Sequence, residues 1–267
     1  MKALLAQLKP EPDPEQNAER VCTLISDNGA QDLAIFPELF LSGYSTKQMT
    51  ERSLDASDPA LQSIADACGR NQTAAVVGFA EAIDREAGAY GNSAACFETD
   101  GSLAAIYRKT HLFGPWENAA FCPGAELRLV RLSNVEVGPL ICFDAEFPEP
   151  ARELARHGAD LLVTIASNME PYGEDHLIAT RARALDNRRH HLYVNRIGKE
   201  SGHRFVGRSR AIAPDGSVIE ELGDDEGTIE LEFDPVGERP DETVDYLRLS
   251  RPDLTVSCES NSSAGVP

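Results

Sequence analysis

Three polar side chains stand where apolar, strand-like segments of the sequence end. They are Glu38 in AIFPELFLSGY, Lys109 in IYRKTHLFG and Cys142 in PLICFDAEFPE. Functional groups of layered α/β proteins gather at the carboxyl ends of strands, so an acid, a lysine and a cysteine in these positions are candidates to converge. A carboxylate can take the proton of a thiol, and an ammonium group stabilises both a thiolate and an oxyanion. These residue types are suited to nucleophilic attack on a carbonyl carbon.

Each of the three residues also has a purely structural interpretation. A single cysteine in an apolar strand is commonly a small buried hydrophobic residue. A glutamate after proline is commonly a solvated loop carboxylate, and a lysine after arginine is commonly an exposed strand end. Composition and periodicity by themselves favour these interpretations over catalysis.

The segments that position these residues alternate between helical and strand-like periodicity. Apolar residues fall at helical spacing within 18–25 and within 61–68, and the apolar runs DLAIFPE and AAVVGFAEA follow these two helices. An Asp-Gly pair at 100–101 predicts a hairpin, and a second pair at 215–216 predicts another turn. Helices that alternate with buried strands and hairpins predict a layered α/β fold with mixed sheets.

The middle of the chain continues this alternation. VGPLICF and ADLLVTIA predict strands, and PEPARELARHG predicts a helix that ends at Gly158. A long helix is predicted from about Asp175 to His191, and we expect His190 and His191 to be structural or solvated. We expect a salt-bridged face on this helix, formed by Arg181, Arg183, Arg188 and Arg189.

Taken together, the motifs FPELFLSGY, YRKTHLFG and ICFDAEFPE resemble, in order and in strand context, the triad motifs of the nitrilase superfamily of carbon–nitrogen hydrolases. The similarity extends from the first strand to YLRLSRPDL near the end of the sequence. It implies an α/β fold in the form of a four-layer αββα sandwich with two mixed β-sheets. It also implies one domain over residues 1–258, a homodimer and no cofactor. The polar stretch 259–267 would be a frayed tail.

The resemblance implies that Glu38, Lys109 and Cys142 form a catalytic triad. Glu38 would take the proton of Cys142, and the Lys109 ammonium would lower the pKa of the thiol and stabilise the oxyanion electrostatically. The backbone N–H of Phe143, directly after the nucleophile, would be the second oxyanion donor. Attack on an amide would release ammonia and leave a thioester, which water activated by Glu38 would hydrolyse.

A second glutamate follows Lys109 in the predicted loop GPWENAAFCPG. Glu117 resembles a second glutamate of amidase members, where a carboxylate would keep the lysine charged and help to position the amide. A surface loop acid is the alternative. Trp116 would form a wall of the pocket or cover the core, and Cys122 would pack. We expect His111 to orient backbone rather than to relay protons.

The residues after Cys142 distinguish among members of the superfamily. Nitrilases proper carry Trp-Glu after the cysteine, and omega-amidases carry an arginine at the position of Glu146, whereas this sequence reads Cys-Phe-Asp-Ala-Glu-Phe-Pro-Glu. That run and YRKTHLFG are most similar to aliphatic and R-stereoselective amidases and to 5-aminopentanamidases. The expected substrate is therefore a small aliphatic amide.

The same subgroup shares an Asn-Met-x-Pro-Tyr segment, which begins here at Asn168 after a predicted strand. Asn168 and Met169 would shape the substrate slot, although a plain turn after a strand has the same pattern. Glu146 and Glu170 would favour a neutral or cationic amide and repel an anionic one. Phe143, Glu146, Asn168 and Met169 are thus the predicted substrate contacts.

Other functions remain open at this stage. An N-carbamoyl amine or amino-acid hydrolase uses the same triad and also releases carbon dioxide. A non-catalytic member of the superfamily would bind a metabolite, but it has no need of all three triad residues. A metal-dependent hydrolase is disfavoured, because the six histidines show no clustered ligand spacing.

Charge and cysteine usage restrict the partners and the compartment. Asp and Glu number 44 against 25 Lys and Arg, a formal net charge of −19. Nucleic acids and anionic membranes need a basic face, so neither is an expected partner. The apolar stretch of the amino-terminal segment is too short for a signal peptide, and the segment fits a first strand. The six cysteines include no CxxC pair, which indicates a reduced, cytoplasmic protein.

Overall fold

Two six-stranded mixed sheets pack face to face, and helices cover their outer surfaces. The computed structural model describes residues 1–28, 31–45, 49–237, 243–251 and 253–255. The predicted tail 259–267 and Cys258 lie outside the described residues. The arrangement of layers confirms the predicted αββα sandwich.

The strands of the described ranges are numbered in chain order. They are Lys2–Gln7 (β1), Leu33–Ile35 (β2), Ala74–Asp84 (β3), Ala89–Phe97 (β4), Leu103–Arg108 (β5), Val130–Leu132 (β6), Val135–Ile141 (β7), Leu161–Ala166 (β8), His190–Asn195 (β9), Ile197–Glu200 (β10), His203–Val206 (β11), Arg210–Ile212 (β12), Val218–Glu221 (β13) and Gly227–Glu232 (β14). The first sheet has the order β14-β1-β2-β3-β4-β5, and the second has the order β13-β12-β9-β8-β7-β6. Strands β10 and β11 form a separate hairpin.

Parallel strands lie at the centre of each sheet. In the first sheet β2 pairs in parallel with β1 and β3, and in the second β8 pairs in parallel with β7 and β9. The remaining pairs within these sheets are antiparallel, including the predicted hairpin between β4 and β5, whose turn places Gly101 at φ +85. The positive φ explains why a glycine stands there.

The helices within the described residues are Pro14–Asp27 (α1), Met49–Arg52 (α2), Pro59–Asn71 (α3), Gly114–Ala120 (α4), Pro148–Arg156 (α5), Gly173–Asn187 (α6) and Tyr246–Leu249 (α7), with a 3-10 helix at Cys142–Glu146. None of these helices combines the length and the apolar character that crossing a bilayer requires. Helices α1 and α3 begin after Asp13 and Asp58, whose side chains accept backbone N–H groups. Their apolar faces pack on the first sheet, as the helical spacing predicts.

One core lies between the sheets. Leu5, Ile35 and Val76 of the first sheet and Val137 and Ile165 of the second are buried together in it. Because the central parallel strands are covered on both faces, their sequences are continuous apolar runs rather than alternating ones. The core fixes the directions of β2, β5 and β7, and each of these strands leads into one residue of the predicted triad.

The long helix predicted up to His191 ends earlier. Helix α6 stops at Asn187, and Arg188 follows in the left-handed region with φ 50. His190 and His191 begin strand β9, because residues 190–195 pair in parallel with β8. The predicted placement of four arginines on this helix is therefore wrong for two of them: Arg188 and Arg189 lie beyond the helix. Their Nε atoms donate to the carbonyls of Val244 and Ala159, which are 3.2 and 2.6 Å away.

Candidate active site

The three predicted residues converge at the carboxyl ends of their strands. Lys109 directly follows β5, Cys142 directly follows β7, and Glu38 lies three residues beyond β2. The Nζ of Lys109 is 2.7 Å from Oε1 of Glu38, and both side chains are fully buried. Cys142 is near enough for both charges to influence the pKa of its thiol. Residues from two sheets and three distant segments thus share one site.

A fourth group completes a buried ion cluster, which we call the catalytic cluster: Glu38, Lys109 and Glu117. Oε1 of Glu117 lies 2.9 Å from Nζ of Lys109. Burial by itself lowers the pKa of Lys109, but the Glu117 and Glu38 carboxylates outweigh burial and raise this pKa well above its usual value. Lys109 is therefore an ammonium in the folded protein, as expected for a lysine held beside carboxylates.

Glu117 lies on a helix rather than in the predicted loop. Helix α4 begins at Gly114, which has φ +65, and Pro115 occupies its first turn. Proline is well tolerated there, because the first N–H groups of a helix have no intrahelical partner. Glu117 is fully buried, and its Oε2 accepts the N–H of Phe113 at 2.8 Å. Burial raises the pKa of Glu117, while Lys109 acts in the opposite direction.

The two oxygens of Glu38 have different environments. Oε1 accepts from Nζ of Lys109 and also from Nδ2 of Asn92, at 2.7 Å each. Oε2 is buried and has no hydrogen-bond partner among the described residues. The carbonyl of Asn92 also accepts the backbone N–H of Lys109 at 2.8 Å. Asn92 thus holds both residues in place and leaves Oε2 free to accept a proton.

Cys142 lies at a sharp turn between β7 and the 3-10 helix. Its φ is 49, in the left-handed region that a residue with a Cβ rarely adopts and that is common at functional sites. Burial and the Glu38 carboxylate raise the pKa of its thiol well above the usual value, although Lys109 acts to lower it. The expected lowering of this pKa by Lys109 is therefore outweighed. The resting group is a neutral thiol that must lose its proton during attack.

Asp144 ties the nucleophile turn to the segment around Lys109. It is fully buried, and its Oδ2 accepts from Tyr107 Oη at 2.8 Å and from the backbone N–H of Ile141 at 3.0 Å. Its Oδ1 accepts from the N–H of His111 at 2.8 Å, and Nδ1 of the same histidine is 3.0 Å away. His111 is half-buried and stacks on Phe147, outside the cavity described next.

A cavity opens beside the nucleophile. It is lined by Tyr44, Phe113, Cys142, Phe143, Glu146, Ser167, Asn168, Met169, Tyr172 and His176. All four predicted substrate contacts, Phe143, Glu146, Asn168 and Met169, are in this set, and their roles in binding stay predictions.

Two neighbouring residues lie elsewhere. Glu170 is half-exposed and forms an ion pair with Arg204 at 2.7 Å, so the structure does not place it with Glu146 in the cavity. Trp116 packs edge-on against Tyr44, with ring centroids 4.2 Å apart, and lines a second cavity. Trp116 supports the cavity wall through Tyr44 instead of facing the nucleophile.

Several site residues carry no recognisable signal in the sequence. Tyr44 lines the cavity, its hydroxyl is 3.3 Å from Oε1 of Glu117, and its backbone N–H donates to Glu200 at 2.9 Å. Glu200 is held in turn by the fully buried Arg196, at 2.8 Å. His176, at 2% exposure, contacts Glu146 from α6. These contacts join residues that are far apart in the chain, and only the tertiary fold reveals them.

Comparison with known proteins identifies relatives over nearly the whole length. The sequence profile of the carbon–nitrogen hydrolase family matches residues 2–240. An (R)-stereoselective amidase of a Pseudomonas species is 37% identical over 258 residues, which cover 94% of this chain and 92% of that protein. An omega-amidase of Xenopus tropicalis is 30% identical over 249 residues, which cover 86% of this chain and 87% of that protein.

A solved structure has the same architecture. An amidase from Nesterenkonia sp. AN1, as a mutant with its active-site cysteine replaced by alanine, matches with a TM-score of 0.83 and 28% identity, over 94% of each chain. Other structures of that amidase show the acetamide moiety of fluoroacetamide attached covalently to the active-site cysteine, and a complex with butyramide. Cys142 occupies the position equivalent to that cysteine.

Proposed function

The chain belongs to the carbon–nitrogen hydrolase family, and from this premise we propose that it is a cysteine-dependent amidase that converts small aliphatic amides to carboxylate and ammonia. The observation that carries the proposal is the catalytic cluster beside Cys142, which lines the cavity. An ammonium group fixed between two buried carboxylates is suited to acyl transfer, because it supplies positive charge where the oxyanion forms. The named activities of the amidase relatives support the same chemistry.

In the first step, Sγ of Cys142 forms a bond to the amide carbonyl carbon while the thiol proton passes to Oε2 of Glu38. This oxygen is buried and has no other donor among the described residues, which makes it the available acceptor. The carbonyl π electrons move to oxygen, and the resulting oxyanion is stabilised by Nζ of Lys109 and the backbone N–H of Phe143. Because the resting thiol is neutral, proton transfer and attack are coupled.

In the second step, the C–N bond breaks and the departing nitrogen takes the proton from Glu38. Ammonia leaves, and Cys142 carries the acyl group as a thioester. Water then gives a proton to Glu38 and attacks the thioester carbon. The C–S bond breaks, the sulfur regains the proton, and the carboxylate product leaves. Throughout this cycle Glu117 keeps Lys109 charged and helps to position the amide group.

An ammonia-release screen tests this proposal. We expect wild-type protein to release ammonia from propionamide and valeramide, and the Cys142→Ala variant to release none above background. A nitrile and a carbamoyl amine belong in the same screen, because a ureido substrate would yield carbon dioxide as well as ammonia. Preferential turnover of the carbamoyl amine would replace the amidase assignment with an N-carbamoyl hydrolase. Full activity in Cys142→Ala would refute the mechanism.

We further propose that residues 1–258 form one domain, that the protein is a homodimer and that it works in the cytoplasm. Free cysteines among the described residues, such as Cys22 and Cys122, are compatible with a reducing compartment. Exposed apolar side chains on the outer helices of the second sheet, Ile178 of α6 and Leu249 of α7, would be covered by a second copy. Light scattering after size-exclusion chromatography gives the mass in solution, and a monomer would contradict the dimer.

A further inference from the structure

The hairpin of β10 and β11 stands apart from both sheets, and its residue Glu200 contacts the segment that follows Glu38 in the chain. Oε2 of Glu200 accepts the backbone N–H of Tyr44 at 2.9 Å, and Oε1 lies 3.9 Å from Nη1 of Arg52. Gly43 permits this close approach, because a Cβ at that position would lie 2.7 Å from Oε1 of Glu200. One carboxylate thus connects the hairpin to the segment that carries Tyr44.

A buried arginine holds the Glu200 carboxylate in place. Arg196 is 1% exposed, and its Nη2 lies 2.8 Å from Oε2 of Glu200. Its guanidinium also lies over the ring of Phe205, 4.1 Å from the centroid. Nε and Nη1 of Arg196 have no hydrogen-bond partner among the described residues. Because a buried cation is costly without its counter-ion, this arginine fixes the position of Glu200.

Tyr44 connects the hairpin to the catalytic cluster. Phe205 of the hairpin packs edge-on against its ring, with centroids 5.2 Å apart. At the far end of the ring, the Tyr44 hydroxyl donates to Oε1 of Glu117 at 3.3 Å. Burial and the Glu117 carboxylate raise the pKa of Tyr44 well above its usual value, so the hydroxyl keeps its proton and remains a donor.

The Glu117 oxygen that accepts from Tyr44 is also the one beside Lys109. Oε1 accepts from Nζ of Lys109 at 2.9 Å, and Oε2 accepts the N–H of Phe113 at 2.8 Å. Without the tyrosine hydroxyl, Oε1 would lose one of its two donors, and the carboxylate would be less firmly held against the ammonium group. A shift of about 1 Å in such an arrangement can cost about a hundredfold in rate.

We propose that Glu200 is a positioning residue for the amidase reaction. It fixes the backbone of Tyr44, and the Tyr44 hydroxyl in turn fixes the carboxylate of Glu117 beside Lys109. Glu200 is not among the described residues that line the cavity, so it acts through Tyr44 and not on the substrate. This inference rests on the proposed amidase function and makes the hairpin part of the structure that supports catalysis.

Two double variants separate the hydrogen bond to Tyr44 from the buried ion pair. Arg196→Met with Glu200→Leu removes both charges, which avoids an uncompensated buried ion, and also removes the acceptor of the Tyr44 N–H. With valeramide, its kcat should fall by about tenfold with a smaller change in KM. Arg196→Met with Glu200→Gln restores a side-chain oxygen at the same place and should recover most of that loss.

The matched control breaks another ion pair of the same hairpin. Arg204 of β11 pairs with Glu170 at 2.7 Å, and both side chains are half-exposed. Arg204→Met with Glu170→Gln also removes two charges from this part of the molecule but leaves Glu200 and Tyr44 intact. This control should keep the wild-type kcat.

The Tyr44→Phe background gives the sharpest comparison. Tyr44→Phe removes the hydroxyl and should itself lower kcat by about tenfold. If Glu200 acts through this hydroxyl, Arg196→Met with Glu200→Leu should lower kcat by less than about twofold more in that background. An equal loss in both backgrounds, or no recovery with Glu200→Gln, would overturn the proposal. Glu200→Asp, which keeps the charge but withdraws the acceptor, replaces the Glu200→Leu pair if that pair does not fold.

Failure of this inference differs from failure of the amidase proposal. If valeramide is hydrolysed in a Cys142-dependent manner but the two losses are additive, only the role of Glu200 is refuted. If no amide is turned over, the amidase proposal is refuted, and alkylation by iodoacetamide then tests Glu200.

In this alkylation Sγ of Cys142 bonds to the methylene carbon, iodide leaves, and the thiol proton passes to Glu38. The rate is read from the mass of the peptide that contains Cys142. It should fall in Arg196→Met with Glu200→Leu and recover with Glu200→Gln, as for kcat. A rate that is the same in wild type and both variants would overturn the role of Glu200.

Discussion

Two clusters of polar side chains lie near the nucleophile, and they differ in composition. The catalytic cluster places the Lys109 ammonium between two carboxylates at 2.7 and 2.9 Å. The other cluster consists of Tyr193, His176 and Glu146: the Tyr193 hydroxyl is 2.9 Å from Nδ1 of His176, and Nε2 of His176 is 3.1 Å from Oε1 of Glu146. The catalytic cluster holds its charged groups in fixed positions, whereas the second cluster places a carboxylate on the wall of the cavity. The difference separates the residues of the predicted triad from residues that line the cavity.

The largest expected effect comes from removing the cation of the catalytic cluster. Lys109→Met would leave two carboxylates facing each other without a counter-ion, and we expect the free energy of unfolding to fall by about 3–5 kcal/mol. Loss of the oxyanion donor should lower kcat by about a hundredfold to a thousandfold. Denaturant unfolding and ammonia release measure these two effects.

A second substitution separates the two effects of that change. Adding Glu117→Gln to Lys109→Met removes one of the uncompensated charges, so part of the lost stability should return while activity stays low. If the double variant is no more stable than Lys109→Met, the clash of Glu38 and Glu117 is not the source of the destabilisation.

The second sheet contains a buried histidine, His191, which should make the stability of the protein depend on pH. His191 is fully buried between Thr164 Oγ1 at 2.8 Å and the Thr180 carbonyl at 3.0 Å. Burial lowers its pKa from 6.5 to about 4. Between these values the unfolded chain binds a proton that the folded protein does not, so stability falls as the pH drops from 6.5 towards 4.

The full contribution of His191 to this loss is about 3 kcal/mol. Because carboxylates titrate in the same range, the relevant quantity is the difference in the free energy of unfolding between wild type and His191→Gln. Denaturant unfolding at several pH values should show that the variant loses less of its free energy of unfolding than wild type as the pH falls. Parallel stability curves for the two proteins would show that His191 is not held neutral.

A smaller effect is expected from the residue that orients the proton acceptor. Asn92→Ala removes one of the two donors to Oε1 of Glu38 and should lower kcat by about tenfold with little change in KM. Gln16→Ala, which removes an exposed amide on α1, is the control and should behave as wild type. An unchanged kcat in Asn92→Ala would mean that Lys109 alone orients Glu38.

The smallest effect is expected at the surface. Glu170 and Arg204 form an ion pair whose side chains are half-exposed. Exposed pairs of this kind contribute less than about 1 kcal/mol, so Glu170→Gln should change the midpoint of denaturant unfolding only slightly. A large loss of stability in this variant would contradict its placement outside the cavity.

The sequence was sufficient to predict the triad, because Glu38, Lys109 and Cys142 each follow an apolar strand within a distinctive motif. Glu117 was also found, although GPWENAAFCPG resembles a loop and forms a helix with proline in its first turn. Asn92 could not be found, since its partner Glu38 lies 54 residues away in the chain. A contact of this kind depends on strand pairing in the folded sheet.

The end of the long helix was missed for a different reason. Helices commonly end at a glycine in the left-handed region, but here Arg188 adopts that conformation, so no glycine marks the boundary. The parallel pairing of β9 with β8 overrides the helical pattern of the following residues. His176 falls within the predicted helix, but its contact with Glu146 depends on the packing of α6 on the 3-10 helix.

The central claim is that the reaction passes through an acyl group on Cys142, and its most direct test is mass spectrometry after rapid acid quench. Wild-type protein is mixed with excess valeramide, quenched at successive times and digested. The mechanism predicts that the first equivalent of ammonia appears together with a valeryl mass on the peptide that contains Cys142, and that Cys142→Ala shows neither. Ammonia release in the first turnover without any acyl mass on that peptide would contradict it.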